Sequence, residues 1–125
     1  MYSELTTRLL YLAAQLPTGR IDPNARAKMF AERAELDAAL ESGDRLAAVM
    51  EAGDVAYYAC KAMDNALISV PTCQEHIRQA ARKVSLTAEQ VLRVAICKMT
   101  LRARPGNPKN DAEERFVVTA LLGML

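Results

Sequence analysis

Prolines, glycines and helix-capping residues interrupt this chain at intervals that leave segments of helical length between them. The strongest interruptions fall at 17–19, 22–23, 42–44, 71–72 and 105–108. Between them the chain is rich in alanine (22 residues) and leucine (15 residues), which are strong helix formers. No segment sustains the alternation of apolar and polar residues that is typical of a strand. The sequence therefore predicts an all-α helical bundle of five to six helices.

Most of the predicted helices begin at a capping signal. The signals are Asp22 before Pro23, Asp44 after Gly43, and three pairs at capping-box spacing, Thr72 with Glu75, Thr87 with Gln90 and Asp111 with Glu114. The helices are predicted to run from Ser3 to about Leu16, from Pro23 to Glu41, from Asp44 to Ser69, from Pro71, from Thr87 to Ala103 and from Asp111 to Leu122. A chain of 125 residues has room for one domain, so residues 1–125 are predicted to form a single all-α domain.

Charge is balanced overall but separated along the sequence. The formal net charge is +1, which argues against a protein that coats nucleic acid or membranes through bulk charge. Residues 32–54 nevertheless contain seven acids and two bases, a net of −5. Residues 76–109 contain eight bases and one acid, a net of +7. These two blocks are the candidate functional regions.

In the acidic block, four carboxylates are spaced symmetrically about the turn at Gly43. Glu35 and Glu51 lie eight residues before and after this glycine, and Glu32 and Asp54 lie eleven residues before and after it. In an antiparallel pair of helices, residues equidistant from the turn lie at the same height, here about 12 Å and about 16 Å from it. If both pairs face inward, the four carboxylates converge within one helical turn.

Carboxylates that converge without bases repel one another, and such a cluster persists when a cation neutralises it. Ligation by oxygen alone suits Mg²⁺, with Mn²⁺ as a substitute, and the single histidine excludes the common zinc sites. The alternative interpretation is a solvated helix face. Apolar and aromatic residues flank the acids at helical spacings, namely Met29, Leu36, Met50, Tyr57 and Tyr58. We therefore expect the acids to border the core.

The basic block supplies groups that suit phosphate. Lys98 and Arg102 lie four residues apart on one predicted helix and so share a face. Arg104, Lys109 and Asn110 follow in or beside a loop. A solvated basic face and a small nucleic-acid surface are the alternatives, and the second lacks interleaved aromatic residues. The usual nucleotide-binding motifs, GxxxxGKS/T and GxGxxG, are absent. A cation-binding cluster together with basic side chains is the combination that a polyphosphate ester requires.

At the acidic block the sequence resembles a known family. Residues 32–35 are Glu-Arg-Ala-Glu and residues 51–54 are Glu-Ala-Gly-Asp, with 15 residues between the two motifs. This pattern is similar to the EExxE…ExxD signature of the MazG-like nucleoside triphosphate pyrophosphatases. The sequence also resembles the phosphate-binding arm of that group, particularly of its short integron-cassette type, at Lys98, Arg102, Lys109 and Asn110. The likeness extends from about Asp22 to Asn110.

The resemblance implies the fold of the all-α NTP pyrophosphatase superfamily and Mg²⁺-dependent hydrolysis of a (d)NTP to the monophosphate and pyrophosphate. It implies metal ligands at Glu32, Glu35, Glu51 and Asp54, and phosphate ligands at Lys98, Arg102, Lys109 and Asn110. Glu32 matches the family position assigned to activation of the attacking water, and Glu32 and Glu35 are the predicted catalytic residues. Ala31 replaces the first Glu of the family motif. This replacement leaves open the number of metal ions and the identity of the water-activating carboxylate.

Two further bases are candidates. Lys61, seven residues beyond Asp54, could offset the acidic charge or meet a phosphate, and Arg104 could also meet a phosphate. The expected function is a house-cleaning nucleotide pyrophosphohydrolase, a homodimer or homotetramer with a nucleoside triphosphate as partner and neither a membrane nor a nucleic acid. The lack of a visible targeting segment predicts a cytoplasmic location. The competing hypothesis is a non-catalytic helical adaptor with paired acidic and basic faces. The sequence does not indicate the preferred base or sugar.

Overall fold

The computed structural model describes residues 3–106 and 109–124 and contains six helices in these ranges. In chain order they are α1 (Ser3–Ala13), α2 (Ala25–Glu41), α3 (Arg45–Asp64), α4 (Val70–Lys83), α5 (Ala88–Arg102) and α6 (Asp111–Met124). The same two ranges contain no strand, so the prediction of an all-α fold with five to six helices is confirmed. Asn107 and Pro108, which belong to the loop predicted at 105–108, lie outside the described residues.

The central element is α3, which packs against each of the other five helices. Its core-facing side carries small residues, among them the fully buried Ala52, Ala56 and Ala59. At Gly53 α5 approaches α3 closely, because a Cβ placed there would lie 3.0 Å from Val94 Cγ1. Glycine at this position therefore allows α5 to lie directly against α3.

The α2–α3 hairpin positions the acidic block. These two helices share the largest contact between any two helices in the described chain. They are joined by a tight turn in which Gly43 has a φ of +76°, a conformation that costs glycine little. The Asp44 carboxylate then accepts a hydrogen bond from the Ala47 backbone N–H at 2.9 Å, so the N-cap predicted at Asp44 is confirmed.

The predicted ends of α2 and α3 need correction. α2 begins at Ala25 with Asn24 at its N-cap, whereas Asp22 accepts a hydrogen bond from the Asn24 backbone N–H and so stabilises a turn before the helix. α3 ends at Asp64 instead of continuing to Ser69. Its end is fixed by Asn65, whose side chain donates to the Lys61 carbonyl at 2.8 Å.

Of the three predicted capping boxes, the structure contains only the one at the start of α5, formed by Thr87 and Gln90. α4 is capped by Ser69, which accepts from the Thr72 backbone N–H, so the box predicted at Thr72 is wrong. α6 is capped by Asn110, which accepts from the Glu113 backbone N–H at 3.0 Å. The box predicted at Asp111 is also wrong, because the Glu114 carboxylate pairs with an arginine of α5 instead.

None of the helices in residues 3–106 and 109–124 combines the length and the apolar character that a membrane span requires.

Candidate functional site

Three of the predicted ligands converge at the α2–α3 hairpin. Glu32, Glu35 and Glu51 each offer one carboxylate oxygen, and these oxygens all lie within 4.8 Å of one another. We call this group the carboxylate cluster. Glu32 and Glu51 are half-buried, and Glu35 is exposed. The spacing about Gly43 therefore identified side chains that come together although they lie on different helices.

The fourth predicted ligand, Asp54, lies beside the cluster and is paired. Lys98 of α5 donates from Nζ to Asp54 Oδ1 at 2.7 Å and to the Met50 carbonyl oxygen at 3.1 Å. Both side chains are almost fully buried, with 3% of Lys98 and 13% of Asp54 exposed. The expectation of four unpaired anions is therefore wrong for Asp54, because α5 brings an ammonium group against α3 at this level.

The carboxylate cluster itself lacks a positive partner. Among the described residues, no lysine or arginine forms an ion pair with Glu32, Glu35 or Glu51. Oε2 of Glu32 and Oε2 of Glu51 are buried, and neither accepts a hydrogen bond from another side chain or backbone group in that part of the chain. Buried oxygens of this kind are costly unless a proton or a cation satisfies them.

The pKa values of Glu32 and Glu51 are raised, as expected for half-buried carboxylates without a base beside them. Burial, the hydrogen bond that protonated Glu32 donates to Glu51 and the charge of Asp54 together raise the pKa of Glu32 to about 9. Burial also raises the pKa of Glu51. Below pH 9 the cation-free cluster therefore retains a proton at Glu32 and shares it with Glu51. A divalent cation would have to displace that proton.

The donor set fits Mg²⁺ or Mn²⁺. Each ligand atom on offer is a carboxylate oxygen, and hard cations of this type prefer such oxygens. The two buried oxygens without donors are the positions that a cation would satisfy. The cluster also borders the core as predicted, since Met29, Leu36 and Met50 are buried beside it.

Arg102 is the last residue of α5 and interacts with the charge of Asp54. Its guanidinium donates two hydrogen bonds to the Glu114 carboxylate, at 3.0 Å and 2.9 Å. Burial lowers the pKa of Arg102, but the hydrogen bonds to Glu114 and the charge of Asp54 outweigh it, so the pKa is raised. Arg102 is thus a fixed cation whose field reaches Asp54.

Arg102 also lines an open groove at the end of α5. The groove has a volume of about 750 Å³ and lies between the end of α1 and the residues that follow α5, with Gln15, Pro17, Arg104 and Pro105 in its wall. Its size is in the range of small-molecule sites. Arg104 donates a hydrogen bond to the carboxylate of Glu113 in the first turn of α6. The groove therefore has two arginines in its wall, each oriented by a glutamate.

Lys61 does not reach the carboxylate cluster. It is fully buried, and its Nζ lies 3.3 Å from Asp22 Oδ2 and above the Tyr57 ring at 5.2 Å. Asp22 also accepts a hydrogen bond from Lys28 at 2.8 Å. Asp22 therefore balances the charge of Lys61 just before the start of α2, whereas the turn at Gly43 follows the other end of that helix.

The last two predicted phosphate ligands, Lys109 and Asn110, precede α6. Lys109 is exposed. The side-chain oxygen of Asn110 is occupied by its helix cap. Their roles toward phosphate remain predictions.

The sequence did not reveal the acids that pair with two of the candidate bases, namely Asp22 with Lys61 and Glu114 with Arg102. Asp22 pairs with Lys61 across 39 residues, and Glu114 was assigned to a helix cap instead of to Arg102. No local spacing signals either pair. The Lys98–Asp54 pair was missed for the same reason.

No family model matches the chain, and neither the curated proteins nor the solved structures contain a match to it. The function is therefore inferred from the residues of the site.

Proposed function

We propose that the protein is a Mg²⁺-dependent nucleotide pyrophosphohydrolase that converts a (d)NTP to the monophosphate and pyrophosphate, in a house-cleaning role. The observation that carries the proposal is the carboxylate cluster, three acids within 4.8 Å of one another without a basic partner in the described chain. Unpaired carboxylates at the border of a core reduce stability, so their presence favours a ligand that neutralises them.

Glu32, Glu35 and Glu51 are the side chains that would hold the cation. When bound, Mg²⁺ would neutralise phosphate charge and make a bound water more acidic. Glu32 and Glu35 are the candidates for accepting the proton of the attacking water. Because Glu32 holds a proton in the cation-free cluster, it would accept one from water only after a bound cation has displaced that proton.

Arg102 and Arg104 suit the polyphosphate. Both line the groove at the end of α5, and Glu114 and Glu113 hold them in place. Guanidinium groups that are already oriented lose little freedom when they bind phosphate oxygens. The exposed Lys109 would add a mobile charge at the same end of α5. Lys98 is much less accessible, because only 3% of its side chain is exposed.

The proposal includes the fold type and the assembly implied by the resemblance, an all-α NTP pyrophosphatase that forms a homodimer or homotetramer in the cytoplasm. Large apolar side chains support self-association, because Ile21, Phe116 and Met124 are 84%, 76% and 82% exposed. α6 packs against α5 and α3, and its exposed Phe116 and Met124 form an apolar surface that a partner could cover.

The test is a pyrophosphate-release assay with purified protein, Mg²⁺ and a panel of dNTPs. We expect release by the wild type and a loss of at least about 100-fold in Glu51→Gln. The matched control is Glu41→Gln, an exposed acid at the end of α2 on the same hairpin, which should retain wild-type activity. An equal absence of release from the wild type and from Glu51→Gln across the panel would rule out the enzyme.

The competing proposal is a non-catalytic helical adaptor. The exposed Phe116 and Met124 of α6 favour it, since they offer an apolar surface for a partner. An adaptor would bind no Mg²⁺, and an association through charged faces would weaken with salt. Calorimetric titration with Mg²⁺ therefore distinguishes the two proposals.

A further inference from the structure

We infer that Lys98 is a built-in counter-cation for Asp54, so that Asp54 is not a metal ligand and the carboxylate cluster takes one divalent ion on Glu32, Glu35 and Glu51. This inference rests on the proposed function, because it concerns how many ions the same site holds.

The geometry of Lys98 supports a fixed role. Its ammonium group is held by two acceptors on α3, Asp54 Oδ1 at 2.7 Å and the Met50 carbonyl oxygen at 3.1 Å. The side chain is 3% exposed. Movement of this group toward a phosphate would leave a buried carboxylate unpaired, which is strongly unfavourable. Lys98 therefore suits the neutralisation of Asp54 better than the capture of substrate.

The backbone around this pair leaves little room for adjustment. A Cβ at Gly53, the residue before Asp54, would lie 3.0 Å from Val94 Cγ1 and 3.4 Å from the Ala95 backbone nitrogen. Val94 precedes Lys98 by one helical turn. The close approach of the two helices thus fixes both members of the pair.

Charge favours one ion instead of two. The four acids carry −4 when ionised, and Lys98 brings the sum to −3. One divalent ion then leaves −1, whereas two leave +1 around a buried ammonium group. A second ion at Asp54 would lie against an ammonium group.

The test counts bound Mn²⁺ by electron paramagnetic resonance during titration of the full chain. We expect one ion per chain for the wild type. The charge-neutral double variant Asp54→Asn/Lys98→Met should also bind one ion, with a dissociation constant within about threefold of the wild type, because the pair is removed as a unit. Glu51→Gln should weaken binding by at least about tenfold, and Glu41→Gln should leave it unchanged.

Two ions per chain in the wild type would overturn the inference while leaving the proposed function intact. So would a folded double variant that loses as much affinity as Glu51→Gln, since Asp54 would then be a ligand. Circular dichroism establishes whether the double variant is folded, and if it is not, the wild-type count decides. Absence of Mn²⁺ binding by the wild type would overturn the proposed function and the inference together.

Discussion

Two groups of glutamates in this molecule differ in whether a basic side chain neutralises them. At the start of α6, Glu113 pairs with Arg104, and the buried Glu114 pairs with Arg102. At the α2–α3 hairpin, the three acids of the carboxylate cluster have no basic partner in the described chain, although the sequence has 16 lysines and arginines available. The chain is therefore able to neutralise buried carboxylates with its own side chains, and does so where they join helices.

The difference separates structural acids from candidate functional ones. A buried carboxylate with a bidentate arginine stabilises the contact between two helices. A group of half-buried carboxylates without a base destabilises the folded chain until a proton or a cation binds. Removal of one acid should consequently have opposite effects on stability in the two regions.

The largest expected effect is at Glu114. Glu114→Gln should lower the free energy of unfolding by about 3 kcal/mol, because it leaves Arg102, whose side chain is 21% exposed, without its anion. Urea denaturation measures this change. Glu113→Gln, at a partly exposed pair, is the control and should cost less than about 1 kcal/mol. Equal effects of the two substitutions would contradict the structural role of the buried pair.

Gly53→Ala tests the contact between α3 and α5, where Lys98 pairs with Asp54. The added Cβ would meet Val94 Cγ1 at 3.0 Å and push α5 away from α3, so we expect a loss of about 2 kcal/mol. Gly123→Ala is the matched control. A Cβ at Gly123 has no neighbour within 4 Å, and alanine should stabilise α6 by about 0.5 kcal/mol. A neutral Gly53→Ala would show that the helices are not held closely here.

Glu32→Gln should have the opposite sign from Glu114→Gln. In the metal-free protein at pH 8 it removes a half-buried acid that must take up a proton when the chain folds, and we expect a gain of about 1 kcal/mol. The sign follows from proton binding. Glu32 has a pKa of about 9 in the folded chain and an ordinary value of 4.5 when unfolded, so the folded state binds more protons between these values.

The stability of the metal-free wild type should therefore fall as pH rises from 4.5 to about 9, and it should fall less steeply in Glu32→Gln. Thermal denaturation in EDTA across this range measures both slopes. Parallel slopes for the two proteins would show that Glu32 does not carry the extra proton.

The smallest expected effect is at Arg104. Arg104→Ala removes an ion pair in which the arginine is 46% exposed, so the free energy of unfolding should change by less than about 0.5 kcal/mol. The pyrophosphate-release assay gives the informative reading, since a groove arginine should affect activity more than stability. Loss of stability comparable to that in Glu114→Gln would make Arg104 a structural residue.

The sequence predicts local features of this protein well. The all-α class, the turn at Gly43, the cap at Asp44 and the capping box at Thr87 each depend on residues a few positions apart, and each is present. The equal spacing of Glu35 and Glu51 about Gly43 also predicts that they lie close together, because a tight turn fixes the heights of the residues on both sides of it.

Long-range pairing is what the sequence leaves undetermined. Lys98 and Asp54 are 44 residues apart, and nothing in their spacing indicates that α5 packs against α3 at Gly53. Glu114 stands at capping-box spacing from Asp111, yet it pairs with Arg102. In both cases tertiary packing determines which partner the buried charge meets. This packing outweighs a local helix-capping preference of about 1 kcal/mol.

Binding of a divalent cation by the carboxylate cluster can be observed directly by anomalous X-ray scattering from crystals soaked in Mn²⁺. We expect one peak at the α2–α3 hairpin, within about 2.3 Å of a carboxylate oxygen of each of Glu32, Glu35 and Glu51. Density at other acids of the chain with none between these three would contradict it.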